Sequence, residues 1–120
     1  MKATEGNPSF GTGKPSPAEE ALGAFAPKLV ELTDQVLFGD IWKRPGLSPR
    51  DRSLITLSAL IALNRTEQLG FHLEKGMDHG LTREEIVEAI THLAFYAGWP
   101  CGMSAAGAAK NLFARRTRSS

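Results

Sequence analysis

Helix-start punctuation recurs along this chain, and it constrains the fold more than any other feature. Ser16 is followed by Pro17 and then by Glu19 and Glu20, which reads as an N-cap, a first-turn proline and acids that complement the helix dipole. Ser48 and Pro49 repeat the signal, with Asp51 in the first turn. Thr82-Arg83-Glu84-Glu85 forms a capping box, in which a hydroxyl and a carboxylate each satisfy an orphan amide of the first turn. The stops match the starts: Gly39, Asn64, Gly80 and Gly98 follow apolar periodic segments and can take the left-handed conformation that ends a helix.

Between these marks the spacing predicts helices opening at Pro17 and at Pro27, the second reaching about Phe38 with Leu29, Leu32, Val36 and Leu37 as a stripe. Segment 38–47 is rich in Gly and Pro and reads as a structured loop anchored by Trp42. The span from Pro49 to Leu63 is apolar on most sides after Leu54, which predicts a central, buried helix. Another runs from Thr66 to His79. Ile86, Ile90, Leu93 and Ala97 then mark the clearest amphipathic helix, spaced i, i+4, i+7 and i+11. Pro100 can open the last helix, whose small residues allow a neighbour to approach closely. No stretch alternates apolar and polar residues as a half-buried strand does, so the expected class is all-α, a compact bundle of about six helices.

With 120 residues, 42% of them hydrophobic, the chain suits one domain that buries only about two-thirds of its unfolded surface. The organisation read from it is a flexible arm over 1–16, a helical domain over 17–116 and a charged tail over 117–120. Lys and Arg number 14 against 13 Asp and Glu, which removes the basic excess expected of a nucleic-acid binder. Cys101 is the single cysteine, so an internal disulfide, a CxxC redox pair and a cysteine-rich zinc site are excluded. No apolar run approaches the roughly 20 residues of a membrane helix. The expected location is the cytoplasm, with no membrane partner.

Proton-transfer chemistry directs attention to the three histidines. His79 sits beside Gly80 at a helix end, where a cation is favourable. His92 lies one step off the apolar stripe, as a partly buried, hydrogen-bonded side chain or as a pocket-lining one. His72 shares a helix face with Arg65 and Gln68. Glu67 is five residues from it, about 140° around the helix, so the two diverge within one chain. Arg50 and Arg52 flank Asp51 as a surface ion-pair cluster or as a carboxylate anchor. Cys101 is an inert thiol or, near a helix N-terminus, a reactive one. Metal ligation has little support, because His72 with Glu67 or His79 finds no third ligand at helical spacing.

The run FGDIWKRPGLSPRDRSLITLSALIALNRTEQLGFHLEKGMDHGLTREEIVEAITHLAFYAGWP, Phe38 to Pro100, resembles the carboxymuconolactone decarboxylase family of the alkylhydroperoxidase D-like superfamily. The SPRDRSL, RTEQLGFH and THLAFYAGWP segments carry the resemblance by their order and spacing. It covers about half the chain. Peroxidase-like members of that superfamily carry C-x-x-C-x-x-x-H where this chain has Arg65, Gln68 and His72, and an acid where it has Ser53. Disulfide chemistry needs a thiolate and a resolving partner, so the resemblance places the chain on the decarboxylase side, where Glu67 and His72 match the pattern.

The resemblance implies a cofactor-independent decarboxylase of a lactone carboxylic acid such as 4-carboxymuconolactone. Loss of CO2 there leaves a dienolate delocalised onto the lactone, so the substrate is its own electron sink and no cofactor or metal is needed. The implied roles give proton transfer or oxyanion stabilisation to His72 and its orientation to Glu67. Arg50 or Arg52 anchor carboxylates on chemical grounds rather than by motif, Arg65 and Gln68 line the site, and Trp42, Phe71 and Trp99 wall it. The family's assemblies imply a homo-oligomer, a trimer or hexamer, with sites near subunit interfaces. Two other readings stand beside it: a peroxidase-type relative acting through Cys101, and a non-catalytic helical oligomer that binds a small ligand.

Overall fold

A computed structural model describes residues 14–119, with side chains through Thr117. Every regular element among the described residues is helical. The chain divides into two compact units, one through Gly46 and the other from Leu47.

The first unit holds α1 (Pro17–Leu22) and α2 (Pro27–Glu31). Ser16 caps α1 as its sequence requires: its hydroxyl accepts from the Glu19 amide at 3.0 Å, and the Glu19 carboxylate accepts from the Ser16 amide at 3.3 Å. Beyond α2 the helix does not stay α as the stripe to Phe38 predicts. Leu32–Leu37 widens into a π-helix, with the Phe38 amide donating five residues back to Thr33 at 3.0 Å. The Thr33 hydroxyl donates to the Leu29 carbonyl at 2.8 Å, a back-bond of the kind that bends helices. A short 3-10 turn over Ile41–Lys43 follows, and Trp42 packs on Phe38 with ring centroids 6.1 Å apart.

The second unit contains α3 (Pro49–Ala62), α4 (Thr66–Asp78), α5 (Arg83–Ala97) and α6 (Trp99–Ser119). Its helices form a closed four-membered arrangement: α3 packs on α4 and α5, and α6 packs on the same two. The expected stops recur at their residues, with φ of 58° at Asn64 and 110° at both Gly80 and Gly98. Leu57 and Ile61 of α3, Leu69 and Leu73 of α4, Leu81, Ile86 and Ile90 around α5, and Ala105, Ala109 and Leu112 of α6 make the core. The α5–α6 approach is so close that a Cβ at Gly102 would lie 2.8 Å from the Ala94 Cβ. This is the contact that the small residues of the last helix predict.

One expectation fails. α3 is not buried all round: Ser53, Leu57 and Ile61 are enclosed, whereas Ile55 is 56% exposed. A neighbour covers only the stripe at i, i+4 and i+8 in a single chain. Apolar exposure is heavier still at the junction of α5 and α6, where Phe95, Tyr96, Trp99 and Met103 all reach solvent. No helix among the described residues is long and apolar enough to cross a membrane.

Candidate active site

A groove of about 400 Å³ opens between α3 and α5. Ser48 caps α3 by accepting from the Asp51 amide at 3.0 Å, which sets Arg50 in the first turn and facing α5. On α5, the Thr82 hydroxyl accepts from the Glu85 amide, and the Glu85 carboxylate accepts from the Thr82 amide, each at 3.0 Å. This capping box aims the second oxygen of Glu85 at Arg50, whose Nη2 donates to it. Asp51 lies 3.7 Å from the same guanidinium. The Thr82 amide and the Arg50 guanidinium hold the Glu85 carboxyl below the usual carboxylate range.

Leu54, Leu81, Ala89 and Leu93 supply the apolar surface of the groove, and Ser58, Glu88 and His92 complete its polar edge. Glu85, Glu88 and His92 follow at i, i+3 and i+7, so one face of α5 presents all three. His92 is exposed rather than partly buried. Its ring stacks on Tyr96 with centroids 4.9 Å apart and an interplanar angle of 24°, which leaves the ring edge and its nitrogens directed away from the stacking face. The Ser58 hydroxyl donates back to the Leu54 carbonyl at 2.8 Å, so towards the groove it offers lone pairs.

Arg50, and His92 in its pocket-lining reading, line this groove, and the other residues expected at a site do not. Arg65, Glu67 and Gln68 are exposed at the start of α4, and no hydrogen bond or ion pair joins Glu67 to His72 among the described residues. Arg52 is half-buried on α3, and Trp42 belongs to the first unit. Phe71 meets His72 edge-on at 5.0 Å and lies under the Lys75 ammonium at 5.8 Å. Trp99 is exposed and meets Phe95 edge-on at 5.6 Å. Ser53 is buried and hydrogen-bonded to Nδ1 of His79 at 2.8 Å. The Sγ of Cys101 is half-buried, 3.9 Å from the Ala62 carbonyl. Nowhere among the described residues do three His, Cys, Asp or Glu converge as a metal site requires.

His72 is half-buried on α4, and its Nδ1 is fully enclosed without a hydrogen-bond partner. Burial, and secondarily the Lys75 ammonium, lower its pKa from the ordinary value. The unfolded chain carries an ordinary imidazole, so as pH falls through about 6.5 the unfolded state takes up a proton that the folded state resists. Stability present above that pH is therefore lost on acidification. Thermal unfolding followed between about pH 7 and 5 should show Tm falling in the parent protein. In His72→Leu, which removes the titrating ring and its unsatisfied nitrogen, that part of the profile should flatten.

The sequence model of the carboxymuconolactone decarboxylase family matches residues 27–111. The chain belongs to this family. Among its relatives, the 4-carboxymuconolactone decarboxylase of Acinetobacter baylyi is 35% identical over 94 residues, which cover 78% of this chain and 70% of that protein. The nitrosuccinic acid decarboxylase npaB of Metarhizium robertsii is 40% identical over 70 residues, 58% of this chain and 49% of the relative. The Glu and His of RTEQLGFH do not point to the groove residues Glu88 and His92. Their signal was the i, i+4 spacing in EAITH. What it lacked was the arginine, which arrives from another helix.

Proposed function

We propose that this protein is a cofactor-independent decarboxylase of a small dicarboxylic acid that supplies its own electron sink, with 4-carboxymuconolactone as the model substrate. The two acids named in its relatives share that chemistry. In each, the departing carboxylate leaves an electron pair that an acceptor takes up, a conjugated lactone in one case and a nitro group in the other. Each also keeps a second carboxylate through the reaction. The protein's tasks reduce to anchoring that carboxylate and returning a proton to carbon.

The observation that supports this reading is that one cavity of suitable size for a small acid places Arg50 and His92 at its edge over an apolar floor. Arg50 pairs with the retained carboxylate through its planar fork. CO2 departs with its bonding electrons left on the substrate as a delocalised anion, and His92 gives a proton to a carbon of that anion, the lactone's α carbon in the case of the dienolate. Solvent then reprotonates the ring. Glu88, one turn before His92 on the same face, is the carboxylate available to steady the ring in its charged form.

A charge-assisted hydrogen bond to a carboxylate contributes about 1.5–3 kcal/mol, so Arg50→Gln should raise KM for the acid by about 10- to 100-fold. Steady-state kinetics on the purified variant check this. An unchanged KM would remove Arg50 from the site.

The family pattern supports a second placement, on the α4 face around His72 with Glu67 as its partner. The half-burial of His72 on α4 favours it, because it shields the ring in part from water. Parallel His72→Gln and His92→Gln kinetics separate the two placements.

A further inference from the structure

We propose that Glu85 is an internal competitor for the substrate's carboxylate, holding Arg50 until the acid displaces it. This inference rests on the placement of the reaction in the α3–α5 groove. Four features carry it. The Arg50 guanidinium donates to Glu85 Oε2, so the group that would bind the acid is already bound to a carboxylate. Both side chains line the groove, which brings an entering acid to that same guanidinium. Glu85 is fixed independently, because its Oε1 accepts from the Thr82 amide at 3.0 Å and its own amide donates to the Thr82 hydroxyl at 3.0 Å. It therefore stays in place when Arg50 leaves. Finally, the pair is half exposed, with side chains 39% and 45% accessible, and such pairs are worth little in water, so exchange is inexpensive.

The arrangement also sets selectivity. A neutral lactone or ester has no charge with which to replace Glu85 on the guanidinium, whereas a carboxylate replaces it in kind. Arg50 would thus be released to ligands that carry a spectator carboxylate and kept from those that lack one. Glu85 acts here as a positioning and specificity residue, through Arg50, and touches no reacting atom.

Glu85→Gln isolates the competition, since glutamine at this helix position still completes a capping box but gives up the charge that holds Arg50. Loss of a competing exposed ion pair should lower KM for the dicarboxylic acid by about two- to fivefold, with kcat moving less than KM. The Kd of succinate, an unreactive dicarboxylate probe, should fall by the same factor in calorimetric titration, and the gain should shrink as salt is added. Glu88→Gln removes an equal charge from the same groove without freeing Arg50, so its effect on the Kd of succinate must be the smaller one. Equal effects in the two variants, or an unchanged or raised KM in Glu85→Gln while Arg50→Gln weakens binding, would overturn the competition and leave the groove as the site. If Arg50→Gln also binds and turns over the acid normally, it is the groove itself that fails.

Discussion

Replacing His92 with glutamine should leave the fold intact and lower kcat for decarboxylation by about 10²- to 10⁴-fold, the usual contribution of a positioned general acid. The side chain is exposed and stacks on Tyr96, so its loss removes a surface ring contact and no core packing. Gln keeps a polar group of similar reach and cannot deliver a proton to carbon. KM should change little, because Arg50 retains the carboxylate. The comparison with His72→Gln is the informative part: His72 lies on α4 and does not line the groove. A full loss of kcat in His72→Gln, with normal turnover in His92→Gln, would move the chemistry to the α4 face.

The largest stability effect is expected at Leu73, which is fully buried within the core shared by α3 to α6. Leu73→Ala removes the buried branch and leaves a cavity that four mutually packed helices can close only in part. It should cost about 2–5 kcal/mol, read as a lower urea midpoint with the slope unchanged. Ile55→Ala makes the contrast. Ile55 lies on the same unit but is 56% exposed, so its truncation should stay within about 0.5 kcal/mol. A similar loss at both positions would mean that Ile55 is covered in solution by something other than its own chain.

The helix boundaries were legible because they depend on local chemistry. Ser16, Ser48 and Thr82 each accept the backbone amide three residues on, as a short hydroxyl before a first turn does. Asn64, Gly80 and Gly98 take positive φ, the conformation that their side chains tolerate best. The π-helix over Leu32–Leu37 was not legible, since its i to i−5 bonds leave an apolar stripe that reads as ordinary helix. Exposure on α3 was hidden for a related reason: an apolar run marks a helix that needs cover without saying which neighbour supplies it. Ile55 and Leu57 look alike in sequence and differ by burial.

At the site, sequence isolates groups that share an element and misses groups that meet between elements. Arg65, Gln68 and His72 share a face because one helix carries them, yet among the described residues Arg65 and Gln68 have no side-chain partner. Arg50 stands out by its chemistry, and only tertiary packing of α3 on α5 brings it into the groove that His92 also lines. His92, one step off the apolar stripe, reads in sequence either as a partly buried histidine or as a pocket-lining one, and only the fold puts it in the groove. Its neighbours at i−4 and i+4, Glu88 and Tyr96, instead define an exposed polar and aromatic face.

Release of CO2 from 4-carboxymuconolactone by the purified protein, in buffer containing a metal chelator and no added cofactor, is the decisive measurement for cofactor-independent decarboxylation in the α3–α5 groove. CO2 should appear in step with loss of the lactone acid, at a rate that collapses in His92→Gln and at low substrate in Arg50→Gln. Absence of CO2 from both this acid and nitrosuccinic acid, or equal rates in the parent and the two groove variants, would contradict it.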